Sequence, residues 1–212
     1  MTKLQSNKIK NLFLYGESST GKSTLLFQTL CEAEVMPYAL GYRTARIINS
    51  QHEIIGYAQS DIQSDQMDFH LNQLSNQYLD NQFMFFESNQ LIKFDFEVFQ
   101  VFTIPILKKA LQHFKTGQTT YFMVMDEIGG MELLNAEIKQ MYIEVLNSDM
   151  PCIGITKAPS IIKKTKSKKD FLNILSDSNK TELLNADALS KDAMREHIQE
   201  WIIKNKIGGK IG

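Results

Sequence analysis

Eight residues near the N-terminus have the types and the spacing that hold the phosphates of a nucleotide. Residues 16–23 read Gly-Glu-Ser-Ser-Thr-Gly-Lys-Ser, a complete G-x-x-x-x-G-K-[ST] loop. The two glycines let the backbone curl so that its N–H groups converge on phosphate oxygens, and a following helix N-terminus adds positive potential. In such a loop Lys22 reaches the β- and γ-phosphates, and the Ser23 hydroxyl binds Mg²⁺. The sequence therefore predicts a nucleoside triphosphate as ligand and Mg²⁺ as cofactor.

We expect the whole loop and the residue after it to bind the nucleotide. The predicted nucleotide-binding residues are Gly16, Glu17, Ser18, Ser19, Thr20, Gly21, Lys22, Ser23 and Thr24. The flanks agree with this prediction. Residues 9–15 contain a short apolar run typical of a buried strand, and apolar residues from Leu25 to Leu30 recur at helical spacing. The loop would therefore join a strand to a helix.

A second group of candidate residues follows an apolar run at 123–125. Asp126 and Glu127 come directly after Met-Val-Met, which predicts two carboxylates at the exposed end of a strand. A carboxylate is a hard oxygen ligand, so Asp126 is predicted to bind Mg²⁺ together with Ser23. Glu127 is predicted to polarise the water that attacks the γ-phosphate, and Lys22 and Glu127 are the predicted catalytic pair. Thr156, at the end of the next predicted strand, fits a γ-phosphate contact and a plain strand end equally well.

Strands and helices alternate along most of the chain. Predicted strands cover 39–48 and 53–58 around a turn, 83–86 at a sheet edge, 121–125, 152–155 and a short stretch near Leu183. Predicted helices run from Asp95 to about Phe114 with a kink or restart at Pro105, after Asn135, and after a Ser190 cap. The polar stretch 59–81 has no clear assignment. This order predicts an α/β fold with a mostly parallel sheet and helices on both faces, with ligands at the carboxyl ends of the strands.

Length and composition narrow the class of protein. The chain has 212 residues, which suits a single domain over 1–212, and a net charge of −1, which gives no overall attraction to nucleic acid or membrane surfaces. Only Cys31 and Cys152 are present, in no metal-binding or disulfide pattern. No segment has the pattern of a signal peptide or the roughly 20 apolar residues of a membrane span. We therefore expect a soluble cytoplasmic protein with no nucleic-acid or membrane partner.

The acidic segment resembles a family signature. Residues 126–133, Asp-Glu-Ile-Gly-Gly-Met-Glu-Leu, are similar to the Asp-Glu-Ile-Gly-x-Met-Glu-Leu sequence of the thermophilic-type, or cancer-related, nucleoside-triphosphatases. Segments 41–44, 56–57 and 95–111 also resemble that family. The resemblance implies a three-layer, RecA-like P-loop NTPase fold and slow Mg²⁺-dependent hydrolysis of ATP, GTP and other triphosphates to the diphosphate and phosphate. Two departures are Glu-Ser-Ser at 17–19, where Pro-Gly-type residues are usual, and Lys157, where histidine is frequent.

Three other functions share parts of this pattern. A nucleotide or small-molecule kinase would use the same phosphate loop and Mg²⁺, and is the main alternative. A GTPase is disfavoured because Pro159 stands where the guanine-reading aspartate of a Thr-Lys-x-Asp motif should be. A nucleotide-switched binding module would bind tightly with negligible turnover.

Cations that could neutralise the γ-phosphate are few. Arg43 and Arg46 are candidates for an intramolecular arginine finger, although exposed strand charges are the favoured interpretation. Residues 163–169 contain five lysines and fit a mobile lid or a solvated loop.

Overall fold

A computed structural model describes residues 9–63, 73–74, 81–117 and 120–209. Within them nine strands form one sheet in the order β6-β5-β3-β2-β7-β8-β1-β9, with β4 paired to β2. The strands are β1 (Asn11–Tyr15), β2 (Ala39–Ile48), β3 (Ile54–Asp61), β4 (Gln73–Leu74), β5 (Gln82–Glu87), β6 (Gln90–Phe94), β7 (Phe122–Ile128), β8 (Cys152–Thr156) and β9 (Thr181–Asn185).

The sheet has a parallel part and an antiparallel extension. Strands β2, β7, β8, β1 and β9 pair in parallel, so their carboxyl ends share one edge. Strands β3, β5 and β6 continue the sheet beyond β2 in antiparallel pairs. Strand β8 separates β7, which carries Asp126, from β1, which leads into the phosphate loop. The predicted α/β class and the mostly parallel sheet are confirmed.

Helices cover both faces of the parallel part. They are α1 (Lys22–Glu32), α2 (Ile104–Lys115), α3 (Ala136–Asn147), α4 (Pro159–Lys163), α5 (Lys169–Leu175) and α6 (Lys191–Asn205). Successive strand residues point to opposite faces. Leu12 accordingly packs in one buried cluster with residues of α1 and α6, whereas Phe13 packs in another with residues of α2, α3 and α5. No helix among the described residues is long and apolar enough to cross a membrane.

Two predicted helix starts are confirmed by their hydrogen bonds. The Asn135 side chain accepts from the N–H groups of Glu137 at 3.0 Å and Ile138 at 3.3 Å, and Ser190 Oγ accepts from Ala193 N–H at 3.1 Å. These bonds satisfy N–H groups that have no partner inside the helix. Around Pro105 the chain forms a π-helical segment, Phe99–Thr103, and then restarts as α2.

Residues 83–86 form a strand as expected, but the expectation that this strand lies at the edge of the sheet is wrong. These residues lie inside β5, which pairs with β3 on one side and β6 on the other. Strand β6 was missed because most of its side chains are exposed, and so no alternation of buried and polar residues marks it. Strand β7 runs on to Ile128, so that Asp126 and Glu127 lie within it. Of the polar stretch 59–81, residues 59–61 belong to β3, and residues 64–72 and 75–80 lie outside the described residues.

Candidate active site

The phosphate loop joins β1 to α1 at the carboxyl edge of the sheet. Gly16 and Gly21 have φ angles of 149° and 85°, in the region that favours glycine. A Cβ on Gly16 would also lie 2.6 Å from Oδ1 of Asp187. The Glu17 N–H donates to Oδ1 and Oδ2 of Asp187 at 3.1 and 3.0 Å. Asp187 follows β9 and was missed by sequence reasoning, because no motif links it to a loop 170 residues earlier.

Lys22 is buried within the loop. Its ammonium group donates to the carbonyl oxygens of Gly16, at 3.2 Å, and of Glu17, and to Thr20 Oγ1 at 3.3 Å. The side chain is 8% exposed. The positive charge is therefore held at the centre of the loop, where the predicted phosphates would meet it.

Ser23 and Asp126 meet although 103 positions separate them. Ser23 Oγ donates to Asp126 Oδ1 at 3.0 Å, and Asp126 Oδ2 is buried with no hydrogen-bond partner in the described part of the chain. Burial, reinforced by the charge of Glu127, raises the pKa of Asp126 to about 7; the Ser23 hydrogen bond, Arg43 and Lys22 act in the opposite direction. Two hard oxygen donors with an unsatisfied carboxylate oxygen form a donor set that fits Mg²⁺.

Glu127 is the next residue on β7 and forms an ion pair. Lys157 Nζ lies 2.8 Å from Glu127 Oε1, and each side chain is about one-third exposed, at 35% and 32%. Both residues line the same cleft as Lys22 and Asp126. The pair fixes the carboxylate at the position of the predicted general base.

The two arginines of β2 are not exposed strand charges, so that expectation is wrong. Arg43 is 2% exposed, and its charge lowers the pKa of Asp126. Arg46 is half-buried, and its Nη2 donates to Ser19 Oγ at 2.8 Å.

A cleft of about 310 Å³ connects these groups. The loop residues, Asp126, Glu127 and Lys157 lie on one side of it, and Arg46 and Tyr57 line it further along the sheet. Beyond them the lining is apolar and comes from β5, β6 and the π-helical segment: Phe83, Met84, Phe86, Phe94 and Phe99.

Comparisons with known proteins agree with this geometry. A family model described as NTPase matches residues 11–199. The chain belongs to this family of P-loop nucleoside triphosphatases. The predicted enzyme class, a hydrolase of nucleoside triphosphates, is thereby confirmed.

Two solved structures share the fold of this NTPase. The crystal structure of THEP1 from the hyperthermophile Aquifex aeolicus has a TM-score of 0.60 at 17% identity, covering 89% of this chain and 96% of that one. The solution structure of a human cancer-related nucleoside triphosphatase has a TM-score of 0.59 at 15% identity, covering 96% and 100%. No curated protein sequence matches the chain significantly.

Glu132, the last acidic residue of the segment 126–133 in this NTPase, shapes the turn after β7. Glu132 Oε1 accepts from the N–H groups of Gly129 at 2.7 Å and Gly130 at 2.8 Å, and Lys168 Nζ donates to the carbonyl oxygen of Gly130. Burial raises the pKa of the Glu132 carboxyl, and the backbone hydrogen bonds from Gly130 and Gly129 oppose that shift, as does the charge of Lys168. Sequence reasoning gave Glu132 no role, because its partners are backbone groups that no residue pattern reveals.

The lysine-rich segment is helical and partly buried. Lys168 is 8% exposed, whereas Lys163, Lys164, Lys166 and Lys169 are exposed. The segment spans the end of α4, a 3₁₀ turn at Lys166–Lys168 and the start of α5. Its role as a lid remains a prediction, and Lys168 anchors it to the signature turn.

Thr156 does not line the cleft, although its neighbours Ile155 and Lys157 do. It is fully buried, and its Oγ1 donates to the carbonyl oxygen of Lys157 at 3.2 Å. This arrangement favours the interpretation of Thr156 as a strand-end residue.

Proposed function

We propose that this NTPase hydrolyses the bond between the β- and γ-phosphates of Mg²⁺-bound ATP, GTP and other nucleoside triphosphates. The observation that carries the proposal is the contact between Ser23 and Asp126 beside the buried ammonium of Lys22. It joins a phosphate loop and a metal-binding carboxylate in one cleft. The products are the nucleoside diphosphate and inorganic phosphate.

The loop residues bind and orient the phosphates. Backbone N–H groups of the loop, other than that of Glu17, surround the phosphate chain, and Lys22 exchanges its loop carbonyl contacts for β- and γ-phosphate oxygens. Arg46, which donates to Ser19, is close enough to the loop to add a second positive charge at the γ end. Catalysis then comes mainly from positioning and charge stabilisation.

Ser23 and Asp126 would hold the metal. When bound, Mg²⁺ supplies positive charge to the β- and γ-phosphate oxygens. The buried Asp126 carboxyl, whose second oxygen has no hydrogen-bond partner among the described residues, is the group that the cation would satisfy. Phosphate oxygens and water would complete the coordination, as is usual for Mg²⁺.

Glu127 prepares the attacking water. Its carboxylate accepts a hydrogen bond from the water, removes the proton as the oxygen reaches the γ-phosphorus, and is held in place by Lys157. Asp126 thus binds the metal, and Glu127 activates the attacking water.

We also propose a domain organisation and a cellular location. One P-loop domain over 1–212 is supported by the single sheet that runs through the described residues. A cytoplasmic location is supported by two cysteines that are both free, Cys31 and Cys152. The predicted partner is a nucleoside triphosphate, with no nucleic acid.

The deciding experiment measures phosphate release from ATP, GTP, CTP and UTP across a Mg²⁺ titration. Ser23→Ala and Asp126→Asn should raise the Mg²⁺ concentration at half-maximal rate about 10-fold or more. Ser176→Ala, an exposed serine at the end of α5, is the matched control and should behave as the wild type. Equal Mg²⁺ dependence in Asp126→Asn and Ser176→Ala would refute the metal assignment.

A further inference from the structure

We propose that the apolar half of the cleft binds a second substrate, a small alcohol with a planar heteroaromatic ring, to which the γ-phosphoryl group is transferred. The aromatic wall is the name used below for the lining residues Tyr57, Phe83, Phe86, Phe94 and Phe99. The inference rests on the proposed function, because it takes the phosphate positions and the role of Glu127 from it.

The order of the strands places the aromatic wall past the γ-phosphate. The triphosphate lies over β1 and α1, and Lys22, Asp126 and Glu127 mark its γ end. The wall begins on β3 and continues on β5 and β6, on the other side of β2 from β7. Strand β5 is three strand positions from β7, about 14 Å at the usual spacing. The base and ribose of the bound nucleotide extend from its α-phosphate, the opposite end, and so leave the wall free.

This side of the γ-phosphate is where the nucleophile arrives. The attacking and leaving oxygens are roughly in line in phosphoryl transfer, and the leaving diphosphate stays in the loop. A water molecule takes about 30 Å³. The cleft has about 310 Å³ over the phosphate loop and the aromatic wall together, the lower end of the range for small-molecule pockets. A wall of five rings is far larger than the delivery of one water requires.

The rings of the wall pack against one another where they line the cleft. Tyr57 and Phe86 are half-buried and meet edge to face, with centroids 5.9 Å apart at 71°. Phe94, also half-buried, stacks on the buried Phe99 at 5.7 Å and 13°. Phe86 lies outside the main buried core cluster, which contains Phe83 and Phe99. The partly exposed rings Tyr57, Phe86 and Phe94 favour a planar ligand ring, which can stack on them or meet them edge to face.

The polar groups beside the wall select a hydroxyl group. Arg46 and Tyr57 are opposite each other on paired strands, and Glu127 and Lys157 line the same cleft. Glu127 can accept the proton of an alcohol as readily as that of water. The alcohol oxygen forms a bond to the γ-phosphorus while the bond to the β,γ-bridging oxygen breaks. The proton passes to Glu127, the diphosphate leaves, and the product is a phosphate monoester.

The test uses the full chain with MgATP and three probes: adenosine, cytidine and pyridoxine, each up to about 1 mM, the upper end of common KM values. Phosphorus NMR distinguishes a phosphate monoester from inorganic phosphate. We expect a monoester with at least one probe. Inorganic phosphate as the sole product with all three probes would overturn the inference.

Two neighbouring residues of β5 provide a matched pair of variants. Phe86→Leu removes a ring from the wall, whereas Phe85→Leu makes the same change at a ring that does not line the cleft and instead contacts Lys93. Phe86→Leu should raise the KM for the accepted probe about 10-fold, a typical effect of losing an aromatic pair, and Phe85→Leu less than about 2-fold. Equal KM values in the two variants would place the acceptor elsewhere and overturn the inference.

Failure of this inference is distinguishable from failure of the proposed function. If the wild type hydrolyses MgATP with the expected Ser23 and Asp126 dependence but forms no monoester, only the second-substrate site is refuted. If neither phosphate nor monoester forms with any triphosphate, the proposed function itself fails.

Discussion

The hydroxyl of Ser23 donates a hydrogen bond to Asp126, 103 positions away, and so brings the two proposed metal ligands together. Asp126 is almost fully buried, so its carboxyl has an elevated pKa, which a bound cation would lower again. Glu127, one residue on, is partly exposed and paired with Lys157. The two adjacent carboxylates therefore lie in different surroundings, which supports the proposal that one binds the metal and the other activates the water.

The substitution Glu127→Gln tests whether Glu127 acts as the general base. The substitution keeps the size of the side chain but removes the basic carboxylate, so turnover should fall about 10²-fold or more while triphosphate affinity is retained. Phosphate release gives the rate, and titration calorimetry gives the affinity. Glu144→Gln, at an exposed position on α3, should match the wild type in both. Wild-type turnover in Glu127→Gln would make Glu127 structural.

Lys22→Ala tests the phosphate loop itself. Lys22 is the one lysine or arginine within residues 16–24, so its loss should weaken triphosphate binding and abolish measurable turnover. Lys166→Ala removes an exposed lysine and serves as the charge-matched control. Calorimetry on folded variants decides the matter. Unchanged affinity and turnover in Lys22→Ala would contradict the assignment of the loop.

The elements around the site were predictable to different degrees. The strand, loop and helix at 9–30 and the two capped helices follow local rules, since motif, apolar period and cap all lie within a few residues. The bond from Asp187 to the loop, the Lys168 contact and the aromatic wall could not be read from the sequence. Each joins segments far apart in the chain, and each involves residue types that are also common on ordinary surfaces or in ordinary cores.

Lys168 connects two elements, the lysine-rich segment and the turn after β7. Its ammonium group donates to the carbonyl oxygen of Gly130, and Glu132 holds the N–H group of the same residue. Lys168→Met should loosen the turn next to Glu127 and lower kcat about 10-fold, with less effect on triphosphate affinity.

Lys169, the exposed residue next to Lys168, supplies the control for the Lys168→Met prediction. Lys169→Met removes a lysine one position on without touching the turn, so its kcat should stay at the wild-type value. Lys168→Arg retains a donor and should recover part of the lost rate. If Lys168→Met and Lys169→Met had the same kcat, the turn would not depend on Lys168.

At the scale of the whole molecule, the bound triphosphate links strands that are not neighbours. The phosphate loop follows β1 and Asp126, the proposed metal ligand, is on β7, with β8 between them. Cys152, at the start of β8, is fully buried, and burial raises the pKa of its thiol to about 12. A thiol reagent reaches Cys152 only when the centre of the sheet opens. Cys31, on α1, is exposed and reports on reagent access alone.

Because a ligand that binds only the closed state stabilises it by RT ln(1 + [L]/Kd), labelling of Cys152 should respond to MgNTP. At a concentration about 100 times Kd the stabilisation is about 2.7 kcal/mol, which slows labelling about 100-fold. A non-hydrolysable triphosphate with Mg²⁺ at pH 8, followed by mass spectrometry, measures this rate. The rate at Cys31 should stay unchanged in the same sample. If Cys152 labels equally fast with and without the ligand, the sheet opens at β8 without releasing the nucleotide, and the site does not hold β1 and β7 together.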